Sequence, residues 1–229
     1  MRITYYGHAC FGVEIASRHL LFDPFISGNP KARGLIDPST VPADFILLTH
    51  GHEDHVLDAE TIAKRTGAKI ISNFEIVSWY GAKGIEGHPM NVGGSWQFPF
   101  GKVKMVSAIH SSTMPDGTTG GVPAGFVIES PEGNFYIAGD TSLTYDMKLI
   151  PLSTKLDFAI LPIGDNFTMN AEDAAIAAEW VEVERVIPCH YDTFGYIEID
   201  KTQARSAFAK RTIDLHFLNI GETIEATEL

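Results

Sequence analysis

One run constrains this chain more than any other: Thr49-His50-Gly51-His52-Glu53-Asp54-His55, directly after the apolar stretch Phe45-Ile46-Leu47-Leu48. Three imidazoles and an aspartate fall within six positions. Packed together, such groups repel or desolvate one another unless a cation sits between them. A strand ending in His-x-His-x-Asp-His has to exit through a sharp turn that fans its ligands onto one point. Nitrogen and oxygen donors at this density suit zinc or another borderline divalent metal.

At 229 residues, one domain over residues 1–229 is the default, with enough chain to bury a large core. Hydrophobic residues at 45% and charged residues at 20% argue against disorder. The net charge of −12 argues against nonspecific binding of nucleic acid or an anionic membrane. Two cysteines, Cys10 and Cys189, are too few for a disulfide framework, and the N-terminus MRITYYGHAC has no basic stretch followed by an apolar one. The expectation is a cytoplasmic protein. Cys189 beside His190 reads as a small buried hydrophobe rather than a thiolate ligand.

Short β-branched or aromatic runs at 3–6, 12–15 and 19–23 read as a strand meander, followed by a Pro/Gly-punctuated loop to Pro42. Residues 45–48 form a buried strand, 58–66 a helix capped by Gly67, 68–72 a strand, 74–83 a helix, and 95–98 with 102–108 a hairpin. The rhythm then repeats: strands at 125–129, 134–138 and 158–162, a helix at 171–183 with Asn170 as N-cap, a strand at 185–188, a helix at 201–211, and closing strands at 215–218 and 222–226. Two groups of strands, each interleaved with helices, predict an α/β fold of two sheets with helices outside.

Four further ionisable residues end apolar strands: Asp23, His110, Asp140 in the turn Gly139-Asp140-Thr141, and His190. Strand ends of a layered α/β fold converge on one rim, where active sites collect.

Together these residues resemble the metallo-β-lactamase superfamily, whose signature T-H-x-H-x-D-H is matched by Thr49 to His55, with His110, Asp140 and His190 in order after it. The resemblance implies a four-layer αββα sandwich and two divalent metal ions, zinc by default, with manganese, iron or nickel compatible. His50, His52 and His110 would hold one metal, Asp54, His55 and His190 the other, and Asp140 would bridge them. Gly7-His8-Ala9-Cys10, Asp23-Pro24-Phe25, Leu161 to Gly164 and His190 to Phe194 are similar to the branch containing small prokaryotic metal-dependent hydrolases, the ascorbate-6-phosphate lactonase and the phospholipase D acting on N-acyl-phosphatidylethanolamines.

Two adjacent divalent cations lower the pKa of a shared water from about 15.7 to about 7, giving a metal-bound hydroxide, and polarise the oxygen under attack. Asp54 is the candidate to orient that hydroxide and carry a proton; His8 is the candidate to protonate a leaving group. Asp23 is expected to accept a hydrogen bond from a ligand imidazole. His19, His88 and His216 are assigned to structure or solvent, with His88, in the loop Gly87 to Gly94, as the one candidate exception. The polar loop 111–123, the aromatic residues Phe25, Phe167 and Phe194, and Asp165 and Asn166 are candidates to frame the substrate.

The expectation is therefore a metal-dependent hydrolase of a small phosphodiester, lactone or related ester. Its partner is a small molecule, with no nucleic acid and no membrane, and homo-oligomerisation is left open. A non-catalytic metal-binding or regulatory protein is the alternative, disfavoured by a complete set of seven ligands. A flavo-diiron redox enzyme is disfavoured because His52 stands where that group carries glutamate and no flavodoxin-like segment is present.

Overall fold

The computed structural model describes residues 1–229. Strands β1 (Arg2–Gly7), β2 (Cys10–Ile15) and β3 (Arg18–Phe22) form an antiparallel meander; β4 (Phe45–Leu47), β5 (Lys69–Asn73) and β6 (Gly87–Met90) continue the sheet in parallel. The second sheet repeats the plan. Its antiparallel part is β7 (Ser95–Phe98), β8 (Gly101–Ser107), β9 (Ala124–Ser130) and β10 (Gly133–Ile137); its parallel part is β11 (Phe158–Pro162), β12 (Arg185–Cys189) and β13 (Asp214–Leu215). The last strand, β14 (Thr223–Glu225), returns to pair antiparallel with β1, so each mixed sheet has seven strands.

The parallel crossovers are made by α1 (Glu53–Val56), α2 (Ala59–Thr66) and α3 (Phe74–Gly81) on the first sheet, and by α4 (Ala171–Trp180) and α5 (Lys201–Ala209) on the second. Sequence chemistry sets their ends. The Asn73 and Asn170 side chains accept from the amides of Ile76 and Asp173, and Gly67 closes α2 in the left-handed conformation at φ 76°.

Three apolar layers follow from the strand alternation. Ile3, Phe11, Phe22, Leu47, Phe126, Phe135 and Phe158 fill the space between the sheets. Ile46, Ile62, Ile70 and Tyr80 join the first sheet to its helices, and Tyr136, Leu161, Ala174 and Phe208 do the same on the other side. This is the four-layer αββα sandwich expected from the resemblance. No helix is long and apolar enough to cross a membrane.

Three helices stop earlier than the sequence suggests. The stretch read as 171–183 ends at Trp180, because Glu182 turns left-handed at φ 59° and begins the descent into β12. Likewise 74–83 ends at Gly81, and 201–211 ends at Ala209 ahead of Thr212 at φ 60°. The strand read at 215–218 is only Asp214–Leu215. Residues 87–90, read as loop, are the edge strand β6, where Gly87 and Pro89 are tolerated because one side needs no partner.

Register places the site. Phe11 pairs with Phe22 and Phe22 with Leu47, so β3 and β4 end side by side and the Asp23 amide donates to the Leu47 carbonyl at 3.1 Å. In the second sheet Pro162 pairs with Cys189, which sets the turn after β11 against His190.

Candidate metal centre

The chain leaves β4 at Leu48, runs extended to His52, and makes one turn of helix, α1, carrying Asp54 and His55. Thr49, His50 and His55 are buried, and His52 and Asp54 half-buried. His110 follows β8, Asp140 follows β10, His190 follows β12, and His8 sits in the turn between β1 and β2. His8, Asp23 and His190 all hold left-handed backbones, at φ 58°, 42° and 54°. Such strain in non-glycine residues persists only where the surroundings fix it, and here it coincides with the converging side chains. Gly139, at φ 64°, lets the turn bearing Asp140 lie against Thr49, whose Cβ would be 2.7 Å from a side chain at 139.

Two groups of donors face one another, and a third, Asp23 with His50 and His55, overlaps them. His50, His52 and His110 form one; Asp54, His55 and His190, joined by His8, form the other, with the donor atoms of each group within 4.8 Å of one another. Asp140 lies between them. Its Oδ2 is 3.9 Å from His50 Nε2 and 3.5 Å from His110 Nε2 on one side, and 3.4 Å from His55 Nε2 and 3.0 Å from His190 Nε2 on the other. All seven residues singled out in the sequence are thus brought to one place.

The donor set fits divalent metals. A tetrahedral zinc with ligands at about 2.0–2.1 Å holds neighbouring nitrogens roughly 3.3 Å apart, and His50 Nε2 is 3.0 Å from His52 Nδ1. His55 Nε2 and Asp140 Oδ1 are buried with no hydrogen-bond partner in the protein, and both belong to the cluster. A buried polar atom left so is costly unless it serves something else, and a cation beside His55 Nε2 and Asp140 Oδ2 would satisfy the first of these two.

Behind the clustered donors lies a hydrogen-bond chain. Asp23 is buried; Oδ1 accepts from the Thr49 amide at 2.8 Å, and Oδ2 accepts from Thr49 Oγ1 at 2.6 Å and His55 Nδ1 at 2.9 Å. Because Thr49 Oγ1 gives its proton to Asp23, it accepts from His50 Nδ1, 2.9 Å away. One carboxylate therefore fixes the tautomer of two imidazoles, His55 directly and His50 through Thr49, and leaves both Nε2 lone pairs facing the site. The Asp23 bond was anticipated; Thr49's relay was not, although the residue stands in the motif itself.

His8 is 1% exposed, with Nε2 3.0 Å from Asp54 Oδ2 and Nδ1 2.9 Å from Thr193 Oγ1. Burial, reinforced by the neighbouring His190, lowers its pKa to about 4 despite the attraction of Asp54. A neutral imidazole satisfies both contacts if Thr193 donates to Nδ1 and the Nε2 proton goes to Asp54. In that tautomer the Nε2 proton points at Asp54 Oδ2, and Thr193 Oγ1 is shared between His8 Nδ1 and the Tyr191 carbonyl 3.3 Å away.

Protons and carboxylates divide the cluster's charge in the metal-free protein. Burial opposes the imidazolium of His190, but Asp140 and Asp54 outweigh it and raise its pKa to about 9; His55 is raised for the same reason. Burial likewise opposes the charges of Asp54 and Asp140, and the adjoining imidazoles override it, holding both carboxyls well below the usual range. His50, His52 and His110 are all lowered, by burial first. Cys189 points into the core between the sheets, where burial pushes its thiol up, in keeping with a structural cysteine.

Loop 111–123 is built onto the site: Ser112 Oγ accepts from the Gly51 amide at 3.1 Å, and Asn73 Nδ2 donates to the Gly120 and Val122 carbonyls at 2.6 and 3.0 Å. Ser111 Oγ is 3.2 Å from His52 Nε2. Phe25 and Phe194 each pack edge-on to His8 at 5.5 Å. Asp165 and Asn166 are exposed in left-handed turns after β11. His88 packs between Trp96 and Phe98 at the sheet edges and takes no part in the cluster.

A four-layer sandwich with this centre at the strand ends defines a metallo-β-lactamase fold, and the sequence profile described as Beta-lactamase superfamily domain matches residues 18–191. A UPF0173 metal-dependent hydrolase of Flavobacterium johnsoniae is 60% identical over 225 residues, covering 98% of this chain and 100% of the relative. YtkL of Bacillus subtilis, of the same description, is 45% identical over 230 residues, covering 98% and 100%. Among solved structures, Igni18, a metallo hydrolase of Ignicoccus hospitalis, superposes with a TM-score of 0.88 at 34% identity and 97% coverage of both chains. The chain belongs to the UPF0173 family of metal-dependent hydrolases in the metallo-β-lactamase superfamily.

Proposed function

We propose that the protein hydrolyses a small phosphodiester, lactone or related ester with two divalent metals, zinc by default, held by His50, His52 and His110 and by Asp54, His55 and His190, with Asp140 shared. The observation that carries this reading is the position of Asp140 Oδ2, within 3.0–3.9 Å of imidazoles from both groups. When bound, two such cations supply a water acidic enough to act at neutral pH and a Lewis acid for the oxygen under attack.

The chain's own residues do the rest. Asp23 and Thr49 hold His50 and His55 in the tautomer that presents Nε2. His8 donates to Asp54 Oδ2, which steadies that carboxylate where it can orient the attacking water and take its proton. Asp54, half-exposed, can then pass the proton towards the departing oxygen. Two free, buried cysteines accord with work in the cytoplasm. The inferred partner is a small molecule.

The test is turnover of a panel of phosphodiesters, lactones and thioesters by zinc-loaded protein. Hydrolysis that disappears with chelation and falls by several orders of magnitude in Asp140→Ala supports the reading. Two bound metals with no turnover of any class would favour the non-catalytic alternative.

A further inference from the structure

The rim of the centre is two-sided. On one side stands loop 111–123, with Ser111 against His52 and the exposed Asp116 tied to Trp79 Nε1 at 2.7 Å. The other side carries more exposed aromatic surface, from four separate segments, with the exposed Asp165 and Asn166 just before Phe167; the loop side has Ile109 and Val122 exposed. Phe25 and Phe194 lie 6.1 Å apart, each 5.5 Å from His8. Phe25 and Leu57 both lie against Gly28, where an added Cβ would be 2.5 and 2.6 Å from their side chains. Tyr196, two residues beyond Phe194, pairs with Phe167 at 6.4 Å. Of these, Phe25 is buried, whereas Leu57 and Phe194 are 37% exposed, Phe167 51% and Tyr196 79%.

Charge is distributed to match. Every ion pair of Asp54 and Asp140 is to a histidine. Lys201, behind the Phe194 turn, is paired with Asp192; Lys31 and Arg33, exposed on the loop after Phe25, form no ion pair, with Asp54 and Asp140 or any other carboxylate. Phosphoryl groups are ordinarily gripped by arginine or lysine, and none touches this cluster. The net charge of −12 further discourages an approaching anion.

We propose that the face made by Phe25, Leu57, Phe194 and Tyr196, with Phe167 beside them, seats the acyl group of a neutral carboxylic ester or lactone. This rests on the hydrolase reading above and narrows it: water oxygen bonds to the acyl carbon, the carbon–alkoxy bond breaks, the alkoxy oxygen takes a proton, and carboxylate, alcohol and one proton are released. The acyl chain lies along the apolar face beside Asp54 and His8, and the alcohol portion faces Ser111 and loop 111–123.

The experiment compares kcat/KM of zinc-loaded protein for 4-nitrophenyl acetate, butyrate and hexanoate with that for bis(4-nitrophenyl) phosphate. A half-exposed apolar face should raise kcat/KM by about twofold per methylene, half the free-energy gain of full burial. Phe194→Ser should flatten most of the roughly 16-fold rise from acetate to hexanoate that twofold per methylene gives, so that hexanoate loses far more than acetate. In parallel, calorimetric titration with acetate, butyrate and hexanoate reads the face without turnover, and affinity should climb with chain length. A flat ester series, a flat alkanoate series, or phosphodiester turnover above that of hexanoate overturns the proposal. Chain-dependent alkanoate binding without any turnover would support the face and count against the hydrolase reading; turnover with a flat series would do the reverse.

Discussion

Replacing Asp23 by Asn and Thr49 by Val tests the two proposed metal positions against each other. Asp23 Oδ2 accepts two protons, from Thr49 Oγ1 and His55 Nδ1, and Oδ1 accepts the Thr49 amide. In Asp23→Asn one oxygen becomes an amide nitrogen. If it faces His55, that imidazole has to carry its proton on Nε2, the atom that faces the site; if it faces the Thr49 amide, two donors collide in the interior. Loss of such an outer partner weakens metal binding about 10- to 100-fold, equivalent to about 1.4–2.7 kcal/mol. The weakening should reach both metals, because His50 is oriented through Thr49 from the same carboxylate. Thr49→Val removes only the bridge to His50 Nδ1, 2.9 Å away, and leaves the His55–Asp23 bond in place. It should weaken the metal of His50, His52 and His110 by about tenfold and spare the other. Competition with a fluorescent chelator resolves the two affinities, and melting of the metal-free variants checks folding. Equal weakening of both sites by Thr49→Val, or less than about threefold change at either site in Asp23→Asn, would refute the tautomer argument.

Metal binding must displace the protons that His190 and His55 carry, so affinity should rise from pH 6.5 towards 9, the pKa to which His190 is raised, with proton release measurable by calorimetry in buffers of different ionisation enthalpy. Over that same window the metal-free protein should lose stability, since a raised imidazole pKa stabilises the fold below its unfolded value and ceases to do so as pH passes the folded one; metal-loaded protein, melted alongside, should not follow. If His8 acts by donating to Asp54, His8→Ala should slow nitrophenyl and alkyl esters by the same factor; a much larger loss for the alkyl esters would assign proton delivery to His8 itself. Gly164→Ala would put a Cβ 2.0 Å from the His190 carbonyl oxygen, so it should destabilise the protein by about 3 kcal/mol or more and weaken the metal held by His190; an unchanged melting temperature contradicts the packing described.

The seven clustered donors were legible because four of them sit within six positions and the others end apolar strands, a pattern that core packing alone does not produce. Asp23 was legible for the same reason. Thr49 was not, since a threonine at a strand end has many ordinary uses and only the 2.6 and 2.9 Å contacts reveal a relay. Leu57 and Tyr196 escaped notice because the apolar face exists only when loops from both sheets meet. The turn of helix carrying Asp54 and His55 is four residues long, too short for a helical periodicity to show. Strand β6 was hidden by Gly87 and Pro89, and its pairing with Ile70 to Asn73 is a long-range fact.

The most direct test of the two-metal account is equilibrium dialysis of metal-free protein against zinc, with bound metal counted per chain by mass spectrometry in wild type and in Asp140→Ala. Wild type should saturate at two zinc ions, and the variant should lose the shared carboxylate and hold fewer than two at the same free zinc. Saturation of wild type at one ion, or two ions held equally well without Asp140, would contradict the assignment of Asp140 as the group between two metals.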